Sequence, residues 1–278
     1  MKFIFSEKCL EYNSPGHPES PERVEMIYKF LKSKGFKFEE PPMCKEKDIL
    51  QVHTNELLEK VRSGIFFDPD TPALPGIYEH AKRAVGGAIL AGKISLKKDT
   101  GFSIMRPPGH HATRNSLGGF CYFNNIAIAV KKLAQKTVLL DIDCHHGNGS
   151  EDIFLGNENI LYVSLHRYGF FYPGTGGESN KNIKNYPLSF GIGENEYLET
   201  LKLSLKEVSK FNPELIAVSV GFDTYKLDPV GGLGLEIASY KKIGELIHKL
   251  NRPTFYVLEG GYSPDIPKCI EQFLEGTM

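Results

Sequence analysis

Residues 137–149, TVLLDIDCHHGNG, run from β-branched residues and leucines into Asp141, Asp143 and His145. In an extended chain alternate side chains share a face, so these three polar groups project together from the carboxyl end of a strand. Burying two carboxylates and an imidazole on one face costs several kcal/mol, roughly, unless a cation or hydrogen bonds compensate them. The plainer alternative is a solvated turn after a strand, which the apolar run leading into it disfavours. Carboxylate and imidazole donors suit zinc, and a mixed oxygen and nitrogen set also admits Fe(2+), Co(2+) or manganese. Alternation turns Cys144 to the opposite face, as a core residue, and turns His146 away from the cluster.

Three other apolar runs end in residues of the same kind. RPPGHHA places His110 and His111 side by side after a rigid Pro-Pro and a glycine. Tandem histidines after a strand suit proton transfer, because imidazole titrates near neutrality. GFDTYKLDP delivers Asp223, which alone would read as a helix cap or a turn residue. LEGGY carries Tyr262 behind Gly260 and Gly261, whose backbones tolerate close approach.

The elements that must position these groups follow from periodicity. Short apolar runs alternate with amphipathic stretches, the pattern of a parallel sheet covered by helices on both faces. Strands are expected at 2–5, 101–105, 138–143, 160–165, 215–220 and 254–258. Helices are expected from Ser20 and Pro21 to Gly35, with Ser20 capping, and at 54–63, 76–93, 124–135, 194–210 and 236–250. Pro- and Gly-rich pieces at 14–21, 68–76, 106–119, 172–177 and 228–234 read as loops at the carboxyl edge of the sheet, where open α/β folds bind ligands.

Composition narrows the field. The 278 residues, 41% hydrophobic, suffice for one α/β domain spanning 1–278. Thirty-three basic against 34 acidic residues leave a formal charge of −1, so no nucleic-acid surface is advertised. Five dispersed cysteines without a CxxC pair fit a reducing compartment. No run approaches a membrane span or a signal peptide, so a cytoplasmic protein without a membrane partner is expected.

Taken in order, HPESPERV, RPPGHHA, GGFCYFNN, DIDCHHGNG, SLHRYGFFYPGTG, GFDTYKLDP and LEGGY resemble the motifs of the zinc-dependent histone deacetylase superfamily. That superfamily includes acetylpolyamine amidohydrolases and acetoin-utilisation proteins, and the LEGGY and HHGNG forms are closest to its class II and bacterial or archaeal branches. The resemblance covers almost the whole chain. It implies a three-layer α/β/α, arginase/deacetylase-like fold with a mainly parallel sheet, and metal-dependent hydrolysis of an acylated amine. Zinc falls to Asp143, His145 and Asp223. A structural potassium ion falls to the Asp141 side chain, the carbonyls of Asp143, His145 and Leu165, and Ser164. Asp141 would partner His110 and Asn148 would partner His111. A carboxylate favours imidazolium more than a neutral amide does, so His111 is expected to be the general base and later acid, with His110 stabilising negative charge. Tyr262 would serve as oxyanion donor.

Phe120 and Tyr172 match the walls of an acyl-lysine channel, beside Gly119 and Gly261. Tyr172 stands where phenylalanine is usual and adds a hydroxyl that needs a partner. Asp70, with Asp68 as rival, matches a rim aspartate. Val230 occupies the place where the polyamine-selective branch carries an acidic gatekeeper, which favours acyl-lysine in a protein or peptide over an acetylpolyamine. Two rivals remain: a non-catalytic metal-bound acyl-lysine binder, which should lack the tyrosine or the tandem histidines, and arginase-like chemistry at two metals, which needs a second carboxylate near Asp223.

Overall fold

The computed structural model describes all residues, 1–278. Eight strands form one wholly parallel sheet: β1 (Lys2–Ile4), β2 (Phe38–Glu39), β3 (Gly101–Ser103), β4 (Thr137–Asp141), β5 (Ile160–Arg167), β6 (Ile183–Leu188), β7 (Leu215–Val220) and β8 (Thr254–Leu258). Their spatial order is β2-β1-β3-β8-β7-β4-β5-β6. The helices are α1 (Pro21–Ser33), α2 (Glu46–Ile49), α3 (Asn55–Ser63), α4 (Ile77–Ser95), α5 (Asn125–Leu133), α6 (Asn148–Phe154), α7 (Glu194–Phe211), α8 (Ser239–His248) and α9 (Ile266–Thr277).

Strand alternation sorts the core into two halves. On β4, Val138 and Leu140 join Val24, Leu201, Ile243 and Phe273 from α1, α7, α8 and α9 on one face of the sheet. Leu139 between them joins Leu57, Val85 and Ile126 from α3, α4 and α5 on the other. The α/β/α layering expected from the sequence is what forms, because strands buried on both faces read as near-continuous apolar runs.

Several boundaries differ from expectation. The strand expected at 138–143 ends its regular pairing at Asp141, and the one expected at 101–105 ends at Ser103. Beyond Asp141 two further bonds to the neighbouring strands persist, from Ile142 N–H to the Ser219 carbonyl and from Arg167 N–H to the Cys144 carbonyl. Ile142 and Cys144 still pack in the first core half, so alternation survives past the strand and leaves Asp141 and Asp143 on the opposite side. Ser20 occupies the N-cap position of α1 without making a side-chain cap bond, and Gly35 follows the helix end with φ +84°. The helix expected from Glu236 begins only at Ser239. Edge strands β2 and β6 were not expected: β2 has two residues, and β6 reads IKNYPL, where lysine, asparagine and proline dilute the apolar signal. α6 hides in a Gly-Asn-Gly stretch that reads as loop. α9 carries a regular buried spacing of Ile266, Cys269, Ile270 and Phe273.

Candidate active site

The four strands whose ends carry unusual residues, β3, β8, β7 and β4, are consecutive neighbours in the sheet. Parallel pairing therefore brings RPPGHH, LEGGY, GFD and DIDCHH to one edge, around a cavity of about 330 Å³. Its lining includes Asp70, His110, His111, Gly119, Phe120, Asp143, His145, Tyr172, Val230, Gly260 and Tyr262.

Asp143, His145 and Asp223 hold ligand atoms within 4.8 Å of one another, all buried. The His145 Nδ1 lies 3.1 Å from Asp143 Oδ1 and 2.9 Å from Asp223 Oδ2. Backbone donors orient both carboxylates: Gly260 N–H donates to Asp143 Oδ2 at 2.7 Å, and Cys144 N–H to Asp223 Oδ1 at 2.9 Å. A Cβ at Gly260 would stand 2.5 Å from Asp223 Oδ2 and 2.7 Å from Asp143 Oδ2, so only glycine closes this wall. Burial and the neighbouring Asp143 charge push Asp223 up to about 7. Burial opposes charge on His145, yet its bonds to Asp143 and Asp223 raise it to about 9. Burial acts likewise to raise Asp143, but His110 and His145 outweigh it and hold its carboxyl well below the usual range. Two buried carboxylates and one imidazole thus compete for protons that a divalent cation would replace, which is the test a metal site of this donor set must pass.

The two histidines sit in opposite environments. His110 Nδ1 lies 3.1 Å from Asp141 Oδ2. Burial disfavours its charge, but the Asp141 and Asp143 carboxylates prevail and lift it to about 10. His111 Nδ1 lies 2.8 Å from Asn148 Oδ1, at the first turn of α6. Burial, then the nearby His110 and His145, press it well below the ordinary histidine value. Donating from Nδ1 to the amide oxygen leaves the His111 Nε2 lone pair free.

Tyr262 is held through its loop rather than by regular structure. Arg23 Nε donates to the Gly261 carbonyl at 2.6 Å, its Nη2 to the Glu259 carbonyl at 2.7 Å, and its guanidinium lies 4.4 Å from the Tyr262 ring centroid. On the other side Asp228 accepts from Tyr262 N–H at 2.6 Å and Ser263 N–H at 3.1 Å. Arg23 in turn pairs with buried Glu19, which also binds Arg106. The sequence assigns no role to Arg23, Asp228 or Glu19, although Glu19 and Arg23 lie in HPESPERV and Asp228 in GFDTYKLDP.

Phe120 stands edge-on to Tyr262, with ring centroids 5.9 Å apart, and Tyr172 edge-on to His111 at 4.9 Å. Phe120 has φ +70°, an unusual backbone for a bulky residue. Thr71 Oγ1 accepts its N–H at 2.9 Å, and the His17 ring packs against it at 4.6 Å. The Tyr172 hydroxyl points to Gly119, 2.8 Å from where a Cβ there would sit. Asp70 lines the cavity, whereas Asp68 Oδ1 accepts the Asp70 N–H at 3.0 Å in a turn. Gly261 departs from expectation: with φ +121° it faces Phe222 and Ile266, and Gly260 lines the cavity instead. His146 turns away as expected, to Thr175 Oγ1 at 2.7 Å and Glu151 Oε2 at 3.0 Å. Ser164 pairs in register with Asp141, next to Leu165, and its Oγ lies 2.8 Å from His166 Nδ1.

Comparison with known proteins adds to this geometry. The histone deacetylase domain matches residues 17–277. A probable deacetylase of Methanothermobacter thermautotrophicus is 36% identical over 95% of this chain and 86% of its own. The crystal structure of the HDA15 HD domain superposes with a TM-score of 0.91 at 30% identity, covering 99% of this chain and 90% of that one. An acetylpolyamine aminohydrolase from Burkholderia pseudomallei gives 0.89 at 26% identity, over 100% and 98%. No helix is long and apolar enough to cross a membrane.

Proposed function

Because the chain belongs to the histone deacetylase family, a family of metal-dependent amidohydrolases, we propose that it removes acetyl or other short acyl groups from acylated lysine in a peptide or protein. Asp143, His145 and Asp223 would hold zinc, which when bound supplies Lewis-acid polarisation of the amide carbonyl and a more acidic water. A potassium ion would sit among the all-oxygen set of Asp141, Asp143, His145, Ser164 and Leu165, in a structural role.

The observation that carries the reading is the asymmetry of the tandem histidines. His111, neutral and with a free Nε2, takes the proton from the attacking water and later returns it to the leaving amine. His110, kept cationic by Asp141, stabilises the negative charge that develops at the carbonyl. The Tyr262 hydroxyl, which makes no hydrogen bond within the protein, donates to that oxygen from across the cavity. Amide and water give amine and carboxylate, with no covalent enzyme intermediate. Phe120 and Tyr172 flank the apolar stem, the Gly119 segment lies alongside it, and exposed Asp70 meets the backbone N–H groups of a peptide at the mouth.

Val230 at the cavity wall offers no charge to a second amine, so acetyl-lysine peptides should be turned over at least as well as acetylpolyamines. Measuring kcat/KM for both series at two salt concentrations tests this, since recognition of a distant cation by a rim carboxylate weakens with salt. A large, salt-sensitive preference for acetylpolyamines that Asp70→Asn abolishes would reverse the assignment.

A further inference from the structure

Glu259, the acidic residue of LEGGY, is fully buried, forms no salt bridge and has no place in the proton transfers above. Its contacts are all with donors. Oε2 accepts the backbone N–H of Gly109 at 2.7 Å and of His110 at 3.2 Å, and Oε1 accepts from Ser219 Oγ at 3.2 Å. Pro107 and Pro108 have no N–H to give, so the first two donors of the segment that delivers the histidines both end on this one oxygen. No other acceptor serves either of them, and a buried N–H left without one is costly.

The main chain of the same residue is fixed as firmly. Its N–H donates to the Val220 carbonyl on β7 at 2.9 Å, and its carbonyl accepts from Arg23. One residue thus joins the end of β8, which bears Tyr262, to the end of β7, which leads to Asp223, and to the loop after β3, which bears His110 and His111. Hydrogen bonds along those three ends are what hold a general base and an oxyanion donor in register across a cavity, and sub-ångström looseness there lowers turnover more than binding.

We propose that Glu259 is a positioning residue: its carboxylate serves as the hydrogen-bond acceptor that sets the Gly109–His110 backbone, and through it the orientation of the tandem imidazoles toward Tyr262. The requirement is for one acceptor oxygen in a fixed place, shared by both N–H groups, rather than for a negative charge. Glutamine meets the main demand, since its amide oxygen can accept both N–H groups while its NH2 donates to Ser219 Oγ. Alanine meets none of it.

This inference rests on the amide-hydrolysis reading, and the experiment separates the two. Glu259→Gln and Glu259→Ala are compared with the unaltered protein for kcat and KM on an acetyl-lysine peptide, for bound zinc, and for amide hydrogen exchange at Gly109 and His110 in metal-free protein. Glu259→Gln should keep exchange protection and stay within about fivefold in kcat. Glu259→Ala should lose protection at those two amides at least tenfold and lose on the order of 10² in kcat, with KM and zinc content nearly unchanged. Unchanged exchange and unchanged kcat in Glu259→Ala would overturn the proposal, as would a Glu259→Gln protein as slow as the alanine variant, which would make charge the requirement. If Glu259→Ala does not fold, the glutamine variant alone decides between acceptor and charge. Absence of hydrolysis by the unaltered protein would sink the functional reading instead, while the exchange comparison would still decide the role of Glu259.

Discussion

His53 should make the rim of the cavity acid-labile. Its Nδ1 lies 2.8 Å from the Thr113 carbonyl, and its Nε2 accepts the Asn124 N–H at 2.9 Å. One ring nitrogen must donate and the other accept, so the folded protein holds this imidazole neutral. Burial depresses its pKa from 6.5 to about 4, only partly offset by bonds to the backbone. A histidine whose folded pKa is depressed contributes stability that is present above the unfolded value and lost as pH falls, because the unfolded chain takes up the proton first. The window runs from about pH 6.5 to 4. Between pH 7 and pH 5 the shift from 6.5 to about 4 amounts to roughly 2 kcal/mol of lost stability. His53→Gln can still donate and accept but cannot titrate, so it should flatten that part of the profile. Urea unfolding of both proteins at half-unit steps from pH 7.5 to 4.5 measures the difference. Parallel profiles would refute the assignment of His53 as the titrating group. Since the segment from Thr113 to Asn124 also carries Gly119 and Phe120, ligand affinity at the rim should weaken over the same interval.

Three further outcomes follow from the site and its support. Tyr262→Phe should keep fold and bound metal while losing roughly 10²–10³ in kcat, the scale of one oxyanion donor. His111→Ala should lose on the order of 10²–10⁴, and near-normal turnover by both variants would remove the mechanism. Arg106→Met leaves Glu19 buried and short of its strongest partner and should destabilise by about 3–5 kcal/mol, read by denaturant unfolding; a loss below about 1 kcal/mol would show that Arg23 alone satisfies Glu19.

Much of the site was legible because its chemistry sits where a strand run stops. Asp143, His145 and Asp223 stood out as polar groups closing apolar runs, and strict alternation placed Cys144 in the core even though regular pairing ends at Asp141. Order along the chain could not show that β3, β8, β7 and β4 lie side by side; crossover connections decide that. Nor could it show what Glu259, Asp228 and Arg23 bind at the site, because the bonds they make to the histidine segment and the Tyr262 loop run to backbone groups 34 to more than 200 residues away in sequence. A carboxylate that binds main-chain N–H groups has no spacing signature. Gly261 was misjudged for a related reason: in a Gly-Gly pair the sequence does not tell which residue faces the cavity, and φ +121° with Ile266 packed close turns Gly261 away. Spacing alone likewise does not show that Asp68 closes a turn while Asp70 borders the cavity.

In the proposed reaction one Asp/His/Asp set and its tandem histidines perform metal-assisted amide hydrolysis. Titrating metal-free protein with zinc while following release of acetate from an acetyl-lysine peptide tests it most directly. Activity should be absent without metal, rise linearly, and break at one equivalent per chain, with Asp223→Ala showing neither binding nor turnover. A break at two equivalents, or full turnover by metal-free protein, would rule out hydrolysis at a single metal.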